Sequence, residues 1–520
     1  MKHACSLLFA CGAAFLSANA FAATFLIPDH DVAALKAALG KSNSNAQDDV
    51  IHLAPSGVYT LTAPDSPDGG LPDILPDGGR KVTIVGHGTR IERSAVQGTL
   101  PFRLLYVMRG GDLTLEDIAL TNGSASLGGA ILNDQAKLQL TRCTVTRNSA
   151  QVGGAIYNAC DFGNATLTLT DCTFSENVTV PPTNFGTHPR GGAIYNAGEN
   201  GSAALVITGC TFARNSSDHG GAIYNDGFFG NATLRIRNAT FSENSARYYG
   251  GAIFNIGDFG SAPLRVVSAT FSRNSAGALL GGAIYNTGES STAATEIGNS
   301  IFLSGVGTNL FNRNDTIGTF APVVSLGYNV INDDNDGAYG PTGLLNAASD
   351  QRGTDPLLDP AGLRDNGGPT KTITLLPGSP AIDKGRDLDG AGRDQRGFPR
   401  PHDFVTIPPA LGGDNSDSGA LEMNPDADGD GIPDDLDHCP HSDLRPTVWV
   451  RNINSGVPND LLSDGCTIAD LVAAASVNPR NRGDFVSAIA HLTNDLVKQG
   501  ILTGQKKGAL QSSAAKAALP

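Results

Sequence analysis

The hexapeptide GGAIYN at residues 220–225 decides the fold, because close copies of it recur along the middle of the chain. The copies begin 25, 38, 29, 30 and 31 residues apart, at Gly128, Gly153, Gly191, Gly220, Gly250 and Gly281. A second block, CTFSEN at residues 172–177 and its relatives, alternates with the first. Each repeat therefore holds short strands rich in β-branched and aromatic residues, punctuated by Gly and Asn. One such unit cannot bury its own apolar face, so the repeats predict a stack of coils, a parallel β-helix of the right-handed kind.

Equivalent positions in stacked coils, about 4.8 Å apart, form ladders of side chains. Two ladders are expected to point inward: Ile131, Ile156, Ile194, Ile223, Ile253 and Ile284, and Phe174, Phe212, Phe241 and Phe271. A structural asparagine ladder is expected at a corner: Asn133, Asn158, Asn196, Asn225, Asn255 and Asn286. Charges of alternating sign at one further position predict ion pairs between coils: Arg147, Glu176, Arg214, Glu243 and Arg273.

Two segments depart from the regular repeat, one before it and one inside it. Residues 31–40, DVAALKAALG, predict a short amphipathic helix that ends at Gly40 and caps the first coil. The 38-residue spacing contains an insertion, residues 178–189, whose prolines cannot continue a ladder. We expect this insertion to leave the stack as a loop, and it is the first candidate for a ligand contact, with a plain spacer as the alternative.

Composition limits the function. Residues 1–22 have the charged start, apolar run and small residues of a cleavable signal peptide, which predicts export to the cell surface or the medium. No later stretch has the ~20 apolar residues of a membrane helix. The net charge of −15 argues against nucleic acid as a partner and leaves cations, polysaccharides and cell-surface ligands open.

The segment DADGDGIPDDLD at residues 426–437 predicts a calcium site. Oxygen donors fall at the ligand positions of a twelve-residue loop: Asp426, Asp428, Asp430, the backbone carbonyl of Ile432, Asp434 and Asp437. We expect a weak structural Ca²⁺ site, because Asp437 stands where a longer, bidentate Glu would bind more tightly. The alternative is a solvated acidic linker.

Six cysteines remain after the signal segment. Cys439 and Cys466 flank the stretch between the acidic loop and the tail, and we expect a disulfide between them. Cys143, Cys172 and Cys210 occupy one inward repeat position and are interpreted as small core residues, although neighbours in adjacent coils are close enough for a bridge. The pairing of these three and of Cys160 stays open.

Several motifs resemble known families. The GGAI(Y/F)N and F-x-x-N pair resembles the repeats of polymorphic outer-membrane and pectin-lyase-like β-helix proteins. The motifs LRDNGGPTKT, LLPGSPAIDKG, DQRGFPRP and DSGALE resemble bacterial choice-of-anchor Q proteins, which implies a loop-rich end to the β-helix and a location outside the cytoplasm. The acidic loop is similar to one thrombospondin type 3 repeat. The expected organisation is a signal peptide (1–22), a β-helix with its cap (23–320), a choice-of-anchor Q-like part (321–424), a calcium loop (425–440) and a helical tail (441–520).

The regular coils contain no unpaired acid–base cluster that could act in catalysis. His87 in GHG lacks the companion motifs of a pectinase and is interpreted as a turn residue. The leading hypothesis is therefore a non-enzymatic, exported β-helix protein for adhesion or glycan binding. The first rival is a polysaccharide lyase or glycosidase using carboxylates of the irregular region: Asp333, Asp334, Asp336, Asp355, Asp387 and Asp389. The second is a purely architectural envelope protein.

Overall fold

The computed structural model describes residues 22–517, except 68, 182–187, 278–279, 289–293, 306, 314–321, 334–343, 425–427, 429, 431, 433, 435–436 and 478. The segment predicted as a signal peptide lies outside the described residues, apart from Ala22. So do half of the insertion at 178–189, namely residues 182–187, and, among the predicted calcium ligands, Asp426.

The described strands form a parallel β-solenoid with three sheets, which confirms the predicted fold class. The long sheet contains Ala23–Ile27, Asp49–Leu53, Val58–Leu61, Val82–Arg93, Asp112–Thr121, Lys137–Thr141, Thr144–Thr146, Asn164–Thr170, Thr173–Ser175, Ser202–Thr208, Thr211–Ala213, Asn231–Ser242, Leu264–Ser272, Thr295–Gly298, Ile301–Leu303, Val323–Gly327 and Val330–Ile331. The short sheet contains Ser124–Leu127, Ser149–Val152, Val178–Thr179, Ser216–His219, Ser245–Tyr249 and Ser275–Ala276. The tyrosine sheet contains Leu105–Val107, Ile131–Asp134, Ile156–Ala159, Ile194–Ala197, Ile223–Asp226, Ile253–Ile256, Ile284–Thr287 and Leu310–Arg313.

The predicted inward ladders form the core. The phenylalanines of successive coils pair in register and stack with ring centroids 4.8 to 5.0 Å apart, and Phe302 extends the row. The isoleucines of the repeat are buried beside them. Because identical side chains repeat at the coil spacing, one residue type can fill each layer without a change of rotamer.

Asparagine ladders hold two corners of the coil. In the predicted ladder, which Asn312 extends, each Nδ2 donates to the Oδ1 of the next coil at 2.6 to 2.8 Å. A second ladder was not predicted: Asn148, Asn177, Asn215, Asn244 and Asn274. In it each Oδ1 accepts both the backbone N–H and the Nδ2 of the preceding coil's Asn at 2.9 to 3.0 Å. Both ladders are buried, so their amides satisfy polar groups that water cannot reach.

The predicted ion pairs between coils are not formed. Arg147, Glu176, Arg214, Glu243 and Arg273 do occupy equivalent positions, but none is ion-paired with the next among the residues that the structure describes. All five have a left-handed backbone, with φ between 54° and 57°. They therefore lie in a bend between two strands, and not on a strand face where side chains of neighbouring coils would stand parallel.

The N-terminal cap is a helix at Val32–Ser42, which ends two residues later than predicted. Asp31 caps its start, accepting a hydrogen bond from the N–H of Ala34 at 2.8 Å. Gly40 does not end the helix, because Asn43 takes the C-cap position and donates its N–H to the carbonyl of Leu39. Leu35 and Leu39 are fully buried over the first coil.

The irregular segment at 344–424 packs against the outer face of the long sheet. Gln395 bonds to two threonines of that sheet, accepting from Thr240 at 2.6 Å and donating to Thr211 at 2.9 Å. Ala420 donates to the hydroxyl of Thr270 at 3.0 Å. Outward threonines of successive coils thus become docking points for this segment.

The tail has its own core. It consists of an antiparallel hairpin, Thr447–Val450 and Ile453–Pro458, and the helices Ile468–Ala475, Arg482–Lys498 and Gly504–Lys516. Phe485, Ile489 and Leu496 of the helix Arg482–Lys498 are buried in that core. The hairpin was not predicted.

Candidate functional site

The acidic loop brings three carboxylates together. Oxygens of Asp428, Asp430 and Asp437 all lie within 4.8 Å of one another. Local hydrogen bonds from backbone to side chain curve the loop. The N–H of Asp430 donates to Asp428 at 3.2 Å, and the N–H of Ile432 donates to Asp430 at 2.7 Å. Such Asp-to-backbone bonds two residues apart hold a tight turn.

The group fits a calcium ion. Calcium takes oxygen ligands at 2.3 to 2.6 Å, so donors on opposite sides of the ion stand about 5 Å apart. Asp437 is only 8% exposed. Its Oδ1 accepts the N–H of Cys439 at 2.6 Å, whereas its buried Oδ2 has no hydrogen-bond partner in the described part of the chain. A buried carboxylate oxygen of this kind needs a cation or a proton.

The other predicted ligands are distributed differently. Asp434 is not a member of the group of three. Ile432 contributes its N–H to Asp430, as described above, and Asp426 lies outside the described residues. The structure therefore brings together three of the five predicted aspartates.

The loop is attached to the tail at two points. Cys439 and Cys466 form a disulfide, with Cα atoms 4.9 Å apart. Ser442 donates its N–H to Asp428 and its hydroxyl to Asp470 at 2.7 Å. Asp470 completes a capping box with Thr467 at the start of the helix Ile468–Ala475. Although burial favours its neutral form, hydrogen bonds from the N–H of Asp443 and from Thr467 lower the pKa of Asp470.

The remaining cysteines are thiols. Cys143, Cys160, Cys172 and Cys210 are buried and are not disulfide-bonded. In adjacent coils, the N–H of Cys143 lies 3.4 Å from the sulfur of Cys172. These residues pack as small core side chains, in agreement with the favoured interpretation.

The carboxylates proposed for a hydrolase or lyase are engaged separately. Asp389 pairs with Arg265 at 2.7 Å, and Asp387 accepts the N–H groups of the turn that follows it. Asp355 accepts the N–H of Leu357 at 2.9 Å. Asp333 accepts bonds from Asn309, whereas Asp334 and Asp336 lie outside the described residues. His87, the residue of the GHG motif, is an exposed turn residue with φ 51° and stacks on His52.

A buried charge network in the irregular segment was not predicted, although the motifs DQRGFPRP and DSGALE carry it. Arg400 pairs with Glu422 at 3.1 Å and donates to the carbonyls of Asp417 and Gly419. Glu422 also accepts the N–H of Asp417 at 3.0 Å. Burial raises the pKa of Glu422 to about 7, against the pull of Arg400. Burial and then the charge of Glu422 raise the pKa of Asp417. These groups close the segment onto the solenoid.

The fold and this geometry define a parallel β-helix protein with an accessory tail. Two stretches of the chain, 209–226 and 238–256, match the Chlamydia polymorphic membrane protein repeat. Both fall on successive coils of the solenoid and include the GGAI(Y/F)N block, so two coils of this β-helix are similar to that repeat. No curated protein is significantly similar to the chain. Within the described residues, no helix is both long enough and apolar enough to cross a membrane.

Proposed function

We propose that the chain is an exported, non-enzymatic surface or secreted protein whose β-helix binds a glycan or another cell-surface ligand. The observation that carries this proposal is the match of two coils to a repeat of bacterial membrane proteins. The separate engagement of Asp355, Asp387 and Asp389 supports a binding protein over a hydrolase, which needs two carboxylates facing one bond. A purely architectural envelope protein would lack a soluble ligand.

The resemblance to choice-of-anchor Q proteins belongs to this proposal. Its support is that the family-like motifs of residues 394–401 and 417–422 supply the buried network of Arg400 and Glu422. In this interpretation the segment seals one face of the solenoid and leaves the short sheet and the tyrosine sheet for ligands.

The test is incubation of the mature protein, residues 23–520, with a panel of acidic and neutral polysaccharides, with and without Ca²⁺. We expect saturable binding of at least one polysaccharide and no change in its length. New reducing ends or unsaturated sugar ends would favour the lyase or glycosidase. Failure to bind any member of the panel would favour the architectural role.

We also propose that the acidic loop binds one structural Ca²⁺ and resembles a thrombospondin type 3 repeat in function. Asp428, Asp430 and Asp437 would hold the ion, and charge neutralisation would remove the repulsion among them. Because Asp428 also bonds to Ser442, and Cys439 is bonded to Cys466, an ordered loop would fix the position of the tail. The expected Kd is ~10⁻⁴ to 10⁻³ M, as in extracellular modules.

Calorimetric titration of Ca²⁺ into the mature protein tests this site. Asp428→Asn and Asp430→Asn should each weaken binding at least about tenfold, since each removes a charged ligand of similar shape. Asp495→Asn is the matched control, because it removes the same charge from an exposed position of the tail helix Arg482–Lys498. Absence of saturable heat at millimolar Ca²⁺, or equal affinities for all variants, would leave the loop as an acidic linker.

A further inference from the structure

Polar and aromatic side chains gather where the short sheet meets the tyrosine sheet. One residue per coil precedes the glycine pair there and pairs with its counterpart in the next coil: Val152, Arg190, His219, Tyr249 and Leu280. Beneath them lies the outward row of the tyrosine sheet, whose rings stack 4.8 to 5.2 Å apart: Tyr157, Tyr195, Tyr224, Phe254, Tyr285 and Phe311. The middle of this corner is polar, whereas Val152 and Leu280 make its two ends apolar.

A β-bulge turns two tyrosines toward this corner. Ser217 pairs with Ala246, but His219 pairs with Tyr249, so the strand Ser245–Tyr249 carries one extra residue. The ring of Tyr248 then lies 5.3 Å from His219, and that of Tyr249 lies 5.6 Å from the same imidazole. Bulges of this kind re-aim side chains and are frequent beside functional sites.

His188 closes the corner from the other side. It is part of the insertion at 178–189, and its imidazole makes edge contacts with His219 at 5.5 Å and with Tyr248 at 5.4 Å. Its Nδ1 lies 3.4 Å from the carboxylate of Asp218. The insertion that the sequence marks as a ligand candidate therefore returns to the solenoid at this cluster.

The cluster carries cationic groups in a chain of net charge −15. The guanidinium of Arg190 lies 5.3 Å over the ring of Tyr224 and 3.7 Å from Asp226. The exposed guanidinium of Arg247 is 5.1 Å over the ring of Tyr248 and has no ion pair in the described part of the chain. A guanidinium that is held on an aromatic ring and lacks a carboxylate partner can pair with a planar anion such as a carboxylate.

His219 is uncharged at neutral pH. Burial, and then the charges of His188 and Arg190, lower its pKa to about 4 against the opposing charge of Asp218. Its ring stacks on Tyr248 and Tyr249, and its buried Nδ1 has no hydrogen-bond partner in the described residues. His219 therefore adds no charge to the corner.

We propose that this corner binds a carboxylated sugar unit of a glycan. The carboxylate of the sugar would pair with Arg247, whose guanidinium is held over the ring of Tyr248, and the charge of Arg190 in the same corner would add to the attraction. Hydroxyl groups would bond to His188 and Asp218. This inference rests on the proposed glycan-binding function and names the class of sugar and the residues that select it.

The experiment measures binding to the mature protein of carboxylated oligosaccharides and their neutral counterparts. The pairs are 3′-sialyllactose with lactose, and hyaluronan tetrasaccharide with chitin tetrasaccharide. We expect at least one carboxylated member to bind about tenfold more tightly than its counterpart, with the advantage reduced by salt. Tyr248→Ala and Arg247→Gln should each reduce that affinity about tenfold, because one removes the ring that positions the guanidinium and the other removes the charged donor.

Two matched controls occupy other surfaces of the same coils. Phe229→Ala removes an exposed aromatic ring, and Arg235→Gln removes an exposed guanidinium on the long sheet. Both should leave the affinity unchanged. If a glycan binds but Tyr248→Ala and Arg247→Gln behave like the controls, this site is wrong and the proposed function stands. If no carboxylated probe binds more tightly than its neutral counterpart, the carboxylate inference is wrong; if no polysaccharide of the earlier panel binds either, the proposed function fails as well.

Discussion

Replacement of one ladder asparagine, Asn225→Ala, should be among the most destabilising single changes in the solenoid. The side chain is fully buried. It donates to the carbonyl of Ala232 at 2.8 Å and to Asn255 at 2.7 Å, and it accepts from Asn196 at 2.7 Å. Three lost bonds cost about 1 kcal/mol each, and the buried partners left unsatisfied add on the order of 1 kcal/mol. We therefore expect a loss of about 3 to 5 kcal/mol.

The measurement is urea unfolding followed by circular dichroism, with Asn231→Ala as the matched control. Asn231 lies in the same coil, but it is half-buried and its amide makes one long bond, 3.3 Å, to Ser202. That variant should lose less than about 1 kcal/mol. Because coils stabilise their neighbours, the transition midpoint should move without a new, separate transition. Equal midpoints for the two variants would refute the view that the amide ladder stabilises the stack.

Three further predictions test other parts of the structure. Because burial raises the pKa of Glu422 to about 7, the folded protein keeps a proton that the unfolded chain releases near pH 4.5. The contribution of this carboxyl to stability is therefore full below about pH 4.5 and is lost as the pH rises through 7. Melting curves between pH 5 and 8 should show this decline in the wild type and a weaker one in Glu422→Gln, and a flat wild-type profile would contradict it. Glu176→Lys and Glu176→Gln should change the Tm equally, by about 1 to 2 °C at most, since no ion pair is lost; a difference that shrinks in high salt would restore the pairing. Gly221→Ala should prevent folding or cost more than about 3 kcal/mol, because a Cβ there would lie 2.1 Å from the carbonyl oxygen of Gly251. Gly40→Ala, at an exposed position of the cap helix with open space around it, should instead stabilise by about 0.5 to 1 kcal/mol, and calorimetric melting of both glycine variants checks the contrast.

The solenoid was predictable because its information is repeated. Ile223 and its counterparts recur at every coil, so the same inward position is tested many times within one sequence. The second asparagine ladder was missed for a different reason. Its residues, such as Asn215, use the side-chain oxygen to accept the backbone N–H of the Asn one coil before, and a sequence pattern does not distinguish that bond from an ordinary turn.

The error about the charge ladder has a backbone cause. The residues stand at equal positions, which is all that a repeat can indicate. Whether equal positions bring side chains together depends on the local backbone, and at Glu176 the φ of 57° makes a bend of the chain. The acidic loop shows the same limit from the other side. Spacing alone predicts five aspartates as calcium ligands, whereas the structure groups Asp428, Asp430 and Asp437 and leaves Asp434 outside the group. Calcium binding itself stays a prediction.

The corner site could have been located by asking where the repeats differ in length. The distance along the chain from the serine that begins the short-sheet strand to the first glycine of the pair differs between coils. It is four residues in the coil of Ser216, five in that of Ser245 and six in that of Ser275. The insertion at 178–189 interrupts the same part of the repeat one coil earlier. Ladders tolerate no change of length, because one residue more would turn every following side chain to the other face of the sheet. From Gly153 to Gly281, variation in length is therefore confined to the corner between the two sheets, and there a single added residue produces the bulge that places Tyr248 beside His219. A β-helix in which one corner varies while its ladders stay constant can alter its ligand contacts without altering its core, which is the physical reason to place recognition at this corner.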